Sequence, residues 1–297
     1  MGISIDEKRV YDASEGPTPV FVAGAFGVAR VATSDDLVGE FGLVRECTAR
    51  DLAGLDGRLA VAADADVLLA VTGEEDVEFE RLGVGPAVAA GFVGPGELLV
   101  AREDGTVLRG RVVERETAEN AGGDSWTELG ELADVRAIDG AFVATDSGVY
   151  RATGIAQSAT KTVGDGAASA GLQHVGLDDA RDVAAAGRPL AATGEGLYAL
   201  GNGWMAQREG PFRAVSTAAA DGGRLDRAHA AGESGLLARE DGGWRTVDLP
   251  IDGRVVALDH GAGVYAATED GTFLLSVGDG WNHQLLGLRG VRAVAAP

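Results

Sequence analysis

Five arginines hold the same place in five short apolar runs: Arg50 in ARDL, Arg136 in VRAI, Arg181 in ARDV, Arg213 in FRAV and Arg292 in VRAV. A guanidinium keeps its charge at physiological pH and offers a planar fork of donors that matches carboxylate or phosphate. Five of them facing inward around one opening would form a focused anion site. The competing expectation is that each arginine pairs with a neighbouring carboxylate. Asp51 and Asp182, next in sequence to Arg50 and Arg181, hint at such local charge balance.

Other candidates carry less. His174, His229, His260 and His283 fall in separate segments, at no metal-ligand spacing and beside no Ser or Cys nucleophile. Gly232-Glu233-Ser234-Gly235 lacks the spacing of a nucleophile elbow, and no glycine loop that could cradle phosphate leads into a helix. Asp64, Asp66, Asp178, Asp179 and Asp182 could offer oxygen ligands to a hard cation, but in a chain with 46 acidic residues they read as a hydrated surface. The sequence therefore assigns no catalytic residue, no metal ligand and no cofactor, and leaves the arginines as the candidate anion-binding set.

The elements that must position those arginines repeat along the chain. In VRAIDGAFVATDSGVYRA, residues 135–152, three apolar runs are joined by two tight turns, which is the signature of three short strands. The turn between the second and third runs recurs at Gly27, Asp66, Gly105, Gly148, Gly196, Gly235 and Gly271, spaced 36 to 48 residues apart. Glycine supplies positive φ there, and Asp is its expected substitute. A fourth strand follows, led by Trp126, Trp204, Trp244 or Trp281, with Phe41, Phe79 and Leu172 near the same place in the other units. Large rings recurring at one position predict packing between units. The first unit starts at its second strand, VFVA, while VRAV at 291–294 is a first strand with nothing after it. The last strand is thus expected to complete the first sheet and close a ring without free inner edges.

In these features the chain resembles the β-propellers, and its acidic, uninterrupted repeats are similar to a haloarchaeal β-propeller repeat family. The resemblance covers residues 18 to 297 and implies an all-β, seven-bladed propeller of four-stranded blades in a single domain. Residues 1–17 are expected to be a polar lead-in. Three departures from the repeat, at 112–124, 154–171 and 216–225, are expected to be inserted or lengthened loops.

Composition bounds the rest. The formal charge is −21, with 25 basic and 46 acidic residues and only two lysines, Lys8 and Lys161. Such a surface suits a salt-filled cytoplasm, where at 1 M salt the Debye length falls to about 3 Å and self-repulsion is screened. Net charge of this sign argues against nucleic acid and against anionic membranes as partners. Cys47 is alone, so no intrachain disulfide is expected. No signal-like apolar segment opens the chain. The expectation is a non-catalytic, monomeric, cytoplasmic scaffold that binds an unidentified protein partner through the channel mouth and inserted loops. The alternative is an enzyme or small-anion binder with its site around the arginines.

Overall fold

The computed structural model describes residues 18–73, 77–112, 126–154, 170–240, 242–278 and 280–297. The lead-in at 1–17 and nearly all of the departures at 112–124 and 154–171 lie outside the described residues.

Seven antiparallel four-stranded sheets follow one another in chain order. Blade 1 contains β1 (Thr18–Gly24), β2 (Gly27–Ser34) and β3 (Leu37–Arg45). Blade 2 runs through β4 (Ala49–Leu55), β5 (Arg58–Ala63), β6 (Val67–Val71) and β7 (Phe79–Arg81). Blade 3 is β8 (Ala87–Gly94), β9 (Glu97–Arg102), β10 (Thr106–Arg111) and β11 (Trp126–Glu131). Blade 4 is β12 (Val135–Asp139), β13 (Phe142–Thr145), β14 (Gly148–Thr153) and β15 (Gly171–Gly176). Blade 5 is β16 (Ala180–Ala184), β17 (Leu190–Thr193), β18 (Gly196–Leu200) and β19 (Trp204–Glu209). Blade 6 is β20 (Phe212–Ala219), β21 (Leu225–Gly232), β22 (Gly235–Glu240) and β23 (Gly243–Thr246). Blade 7 is β24 (Val255–His260), β25 (Val264–Thr268), β26 (Thr272–Ser276) and β27 (Asn282–Leu285), and the chain ends with β28 (Val291–Ala295).

β28 joins blade 1 as its innermost strand, pairing Val22 with Val294 and Ala23 with Ala293. The ring is thereby closed by the last strand, as the displaced repeat predicts. Small side chains make the close approach of blades possible: Ala60, Ala62, Ala90, Ala192 and Ala230 are all fully buried in strands that face a neighbouring blade.

The repeating turn has a sharper requirement than positive φ. A Cβ at Gly27, Gly148 or Gly271 would come within 2.0 to 2.1 Å of the backbone oxygen of Arg45, Leu177 or Leu288, where the chain leaves the fourth strand. Asp66 does not substitute for glycine in this sense, because it does not adopt positive φ. Instead its buried carboxylate accepts the N–H groups of Val67, Gly83, Val84 and Gly85, tying turn to exit by hydrogen bonds.

The tryptophans pack between blades. Trp204 donates to the Val175 carbonyl of blade 4 at 3.1 Å and meets Phe142 edge-on at 6.4 Å. Phe41, assigned to the same place in blade 1, is instead 40% exposed on the outermost strand. The stretch 216–225 differs from a lengthened loop: residues through Ala219 extend β20, with Thr217 paired to Ala228, and only 220–224 turn. Among the described residues, no helix is long and apolar enough to cross a membrane.

Candidate functional site: an arginine-lined channel mouth

Each innermost strand carries one extra residue near its start. The register skips Arg50 in β4, Val88 in β8, Arg136 in β12, Arg181 in β16, Arg213 in β20, Val256 in β24 and Arg292 in β28. A bulged residue leaves the alternation of the pleat, and its side chain is re-aimed. The recurrent arginines are these bulged residues. All five line one cavity of about 480 Å³ at the centre of the ring.

Three of the five are engaged. Arg50 reaches Glu103 of blade 3 at 3.1 Å, and Arg136 and Arg181 reach the two oxygens of Asp179 at 2.5 and 3.2 Å. These cations hold the Asp179 carboxyl below the usual range, with the Arg136 hydrogen bond contributing most. Arg213 and Arg292 form no ion pair or hydrogen bond with a described residue. They flank Val256 of blade 7. Partial burial, helped by the nearby Arg254 cation, lowers Arg213 below the usual guanidinium range, and the Glu269 and Glu233 carboxylates offset part of this from a distance.

Asp51 and Asp182 do not neutralise the arginines beside them. Asp51 accepts the Ala90 N–H of blade 3 at 3.1 Å, and Asp182 accepts the Val215 N–H of blade 6 at 2.8 Å. Asp139 and Asp259 clasp the next blade in the same way, through Ala185 at 2.7 Å and Ala296 at 2.8 Å. Burial pushes Asp51 and Asp259 up to about 7 and raises Asp139 and Asp182 as well. Near neutral pH the channel wall is therefore less negative than its composition suggests. The proposed cation ligands do not converge: Asp66, Asp179 and Asp182 are spent on N–H groups or guanidinium, and no group of three or more His, Cys, Asp or Glu among the described residues could hold a metal.

The family model Beta-prop_HVO_0234:-like, beta propeller, matches residues 4–297. The chain belongs to that HVO_0234-like β-propeller family. Solved structures share its fold at low identity. The Neurospora crassa Pan2 WD40 domain is 14% identical over 86% of each chain, with a TM-score of 0.57. The WD40 β-propeller domain of Doa1 is 11% identical over 83% of this chain and 86% of its own, at 0.54. YCF48 bound to D1 peptide is 16% identical over 81% and 83%, at 0.53. No curated protein matches.

One feature of this HVO_0234-like propeller escapes a linear reading. Histidines 229 and 260, from blades 6 and 7, meet at a tilt within hydrogen-bonding distance: His229 Nδ1 lies 2.9 Å from His260 Nε2. His260 Nδ1 in turn lies 2.8 Å from the Ser216 hydroxyl. The histidines have no Ser or Cys nucleophile beside them in sequence, and the fold brings His260 to the Ser216 hydroxyl from 44 residues away. Burial lowers His229 to about 4 and His260 to about 3, so both rings are neutral at pH 7. Ser216 stands three residues after the bulge, the place that Asp139 and Asp259 hold in blades 4 and 7. That register was the only sequence signal, and it becomes visible once the bulges are known.

Proposed function

We propose that the chain is a protein-interaction scaffold of a halophile's cytoplasm, and that its arginine-lined mouth receives an acidic segment of a protein partner. The observation that carries this reading is the pair Arg213 and Arg292. Both are re-aimed by bulges onto one cavity, and neither forms an ion pair or hydrogen bond with a described residue. Cations without a direct carboxylate partner among the described residues support an external anion at the mouth. A propeller is known to take a peptide in one of the similar structures, YCF48 bound to D1 peptide. The −21 charge keeps nucleic acid and anionic lipid away from the rest of the surface.

The test is titration of a hexaglutamate peptide into the full chain in molar KCl, against the double variant Arg213→Gln/Arg292→Gln. Saturable binding that weakens at least tenfold in the double variant supports the reading. Equal binding by both proteins, or none by the parent, removes it.

A second reading is that the same arginines hold a small anion, and the cavity volume of about 480 Å³ favours it. Citrate or phosphate that competes with the peptide at millimolar concentration would replace the protein partner with a small ligand.

A further inference from the structure

Between blades 6 and 7 a hydroxyl, a base and an orienting group stand in series: Ser216 Oγ, 2.8 Å to His260 Nδ1, then His260 Nε2, 2.9 Å to His229 Nδ1. This is the order in which a nucleophile and its base are assembled; burial makes the His260 ring a weak base, and the Ser216 hydroxyl also bonds the Asp259 carboxyl. Ser216 and His260 both line the central cavity, so the hydroxyl borders a space that accommodates a small molecule. Trp281 meets His229 edge-on at 6.0 Å and fixes the far end of the series. Blades 4 and 7 use an aspartate at the equivalent place to clasp the next blade.

We infer that Ser216 is a nucleophile that accepts the acyl group of small anionic esters, with His260 as its base and His229 as a positioning residue. The choice of substrate rests on the arginine-mouth reading; the nucleophile does not. Arg213 precedes Ser216 by three residues on β20, roughly 10 Å along a strand. That span is covered by an arginine side chain and the monoester of a short dicarboxylic acid, its free carboxylate at Arg213 and its ester carbonyl at Ser216. In the step, Ser216 Oγ bonds to the carbonyl carbon and its proton passes to His260 Nδ1. The carbon–oxygen bond to the leaving alcohol then breaks, and the alcohol departs with that proton. Water, deprotonated by the same ring, adds to the acyl-serine, restores the hydroxyl and releases the dicarboxylic acid.

The experiment incubates the full chain in molar KCl with 4-nitrophenyl hydrogen succinate or with neutral 4-nitrophenyl acetate, following 4-nitrophenolate release and the mass of the peptide containing Ser216. The expected result is a burst of about one equivalent, a succinyl adduct on Ser216, and acylation at least tenfold faster for the anionic ester. Ser216→Ala abolishes the burst, and His260→Gln, which keeps the hydroxyl, slows it at least tenfold; near-UV circular dichroism verifies that both variants are folded. A burst unchanged in Ser216→Ala, or an adduct on another residue, overturns the nucleophile. Hexaglutamate binding without any acylation overturns it while sparing the mouth. Equal rates for the two esters overturn the substrate class and leave Ser216 standing.

Discussion

Arg136 and Arg181, from adjacent blades, share one carboxylate: Asp179 gives Oδ1 to the first at 2.5 Å and Oδ2 to the second at 3.2 Å. One acidic side chain thus silences two of the five mouth arginines, and its removal should turn them outward. Asp179 adopts a positive φ of 44°, which asparagine tolerates. Asp179→Asn is expected to strengthen hexaglutamate binding several-fold and to cost at most about 1 kcal/mol of stability, the scale of an exposed ion pair. Calorimetric titration beside a denaturant melt measures both quantities. Unchanged affinity would mean that the mouth does not bind through these guanidiniums.

Ring closure depends on a few residues far from the mouth chemistry. β28 supplies the innermost strand of blade 1, and Val294 is buried with Val20, Val22 and Tyr265 between blades 7 and 1. Val294→Asp places an unpaired carboxylate there, and a loss of about 3 kcal/mol or more is expected. Deleting residues 291–297 strips β1 of its inner partner from Phe21 to Gly24 and should give an aggregating chain. A truncated chain with the parent's melting temperature would contradict the closure.

Between about pH 4 and 7 the buried histidines and the buried aspartates should pull stability in opposite directions. His229 and His260 are lowered to about 4 and about 3 from 6.5, so an unfolded chain binds protons that the folded chain refuses. Their contribution is present above about 6.5 and is lost as pH falls toward 4, with a slope of up to about 1.4 kcal/mol per unit for each ring. Asp51 and Asp259 are raised to about 7 from 3.8, so their contribution is present below 3.8 and is lost as pH rises through 7. Urea unfolding from pH 4 to 9 at constant KCl measures the curve. His229→Gln/His260→Gln should remove the gain in stability between about pH 4 and 6.5, and Asp51→Asn, whose amide oxygen can still accept the Ala90 N–H, should lessen the loss between about pH 4 and 7. A curve unchanged in the histidine variant would show that the rings titrate freely.

The repeating turn glycines are expected to differ sharply from glycines elsewhere. At Gly271 a Cβ would sit 2.0 Å from the Leu288 oxygen with φ at +86°, whereas at Gly42 it meets nothing within 4 Å. Gly271→Ala should destabilise by about 2 to 4 kcal/mol, and Gly42→Ala should stay within about 1 kcal/mol of the parent. Thermal melts of the two variants decide this, and similar values would refute the close approach as the reason for glycine.

The blades were legible because each rests on local chemistry. Alternating apolar runs such as Phe142–Thr145 and turns at Gly27, Gly148 and Gly271 need only near neighbours in sequence to declare themselves. Even the closing strand could be read, since Val291–Val294 is the partner that Val20–Ala23 lacks. Asp66 departs from the glycine rule because three of its four N–H donors, at residues 83–85, come from the far end of the blade. Asp51 and Asp182 were matched to their sequence neighbours because the backbone N–H groups they hold belong to the next blade.

The sequence by itself determined the repeat, the ring and the recurrence of arginine on inner strands, because strand alternation and turn geometry are set within a few residues. Only the tertiary structure decided which arginines pair with a described carboxylate and that Ser216, His229 and His260 meet. Apart from Arg181 with Asp179, two residues away, those pairings join side chains 31 to 53 residues apart across blade boundaries. A bulge of one residue and the packing of adjacent sheets fix them, and no local pattern encodes that distance.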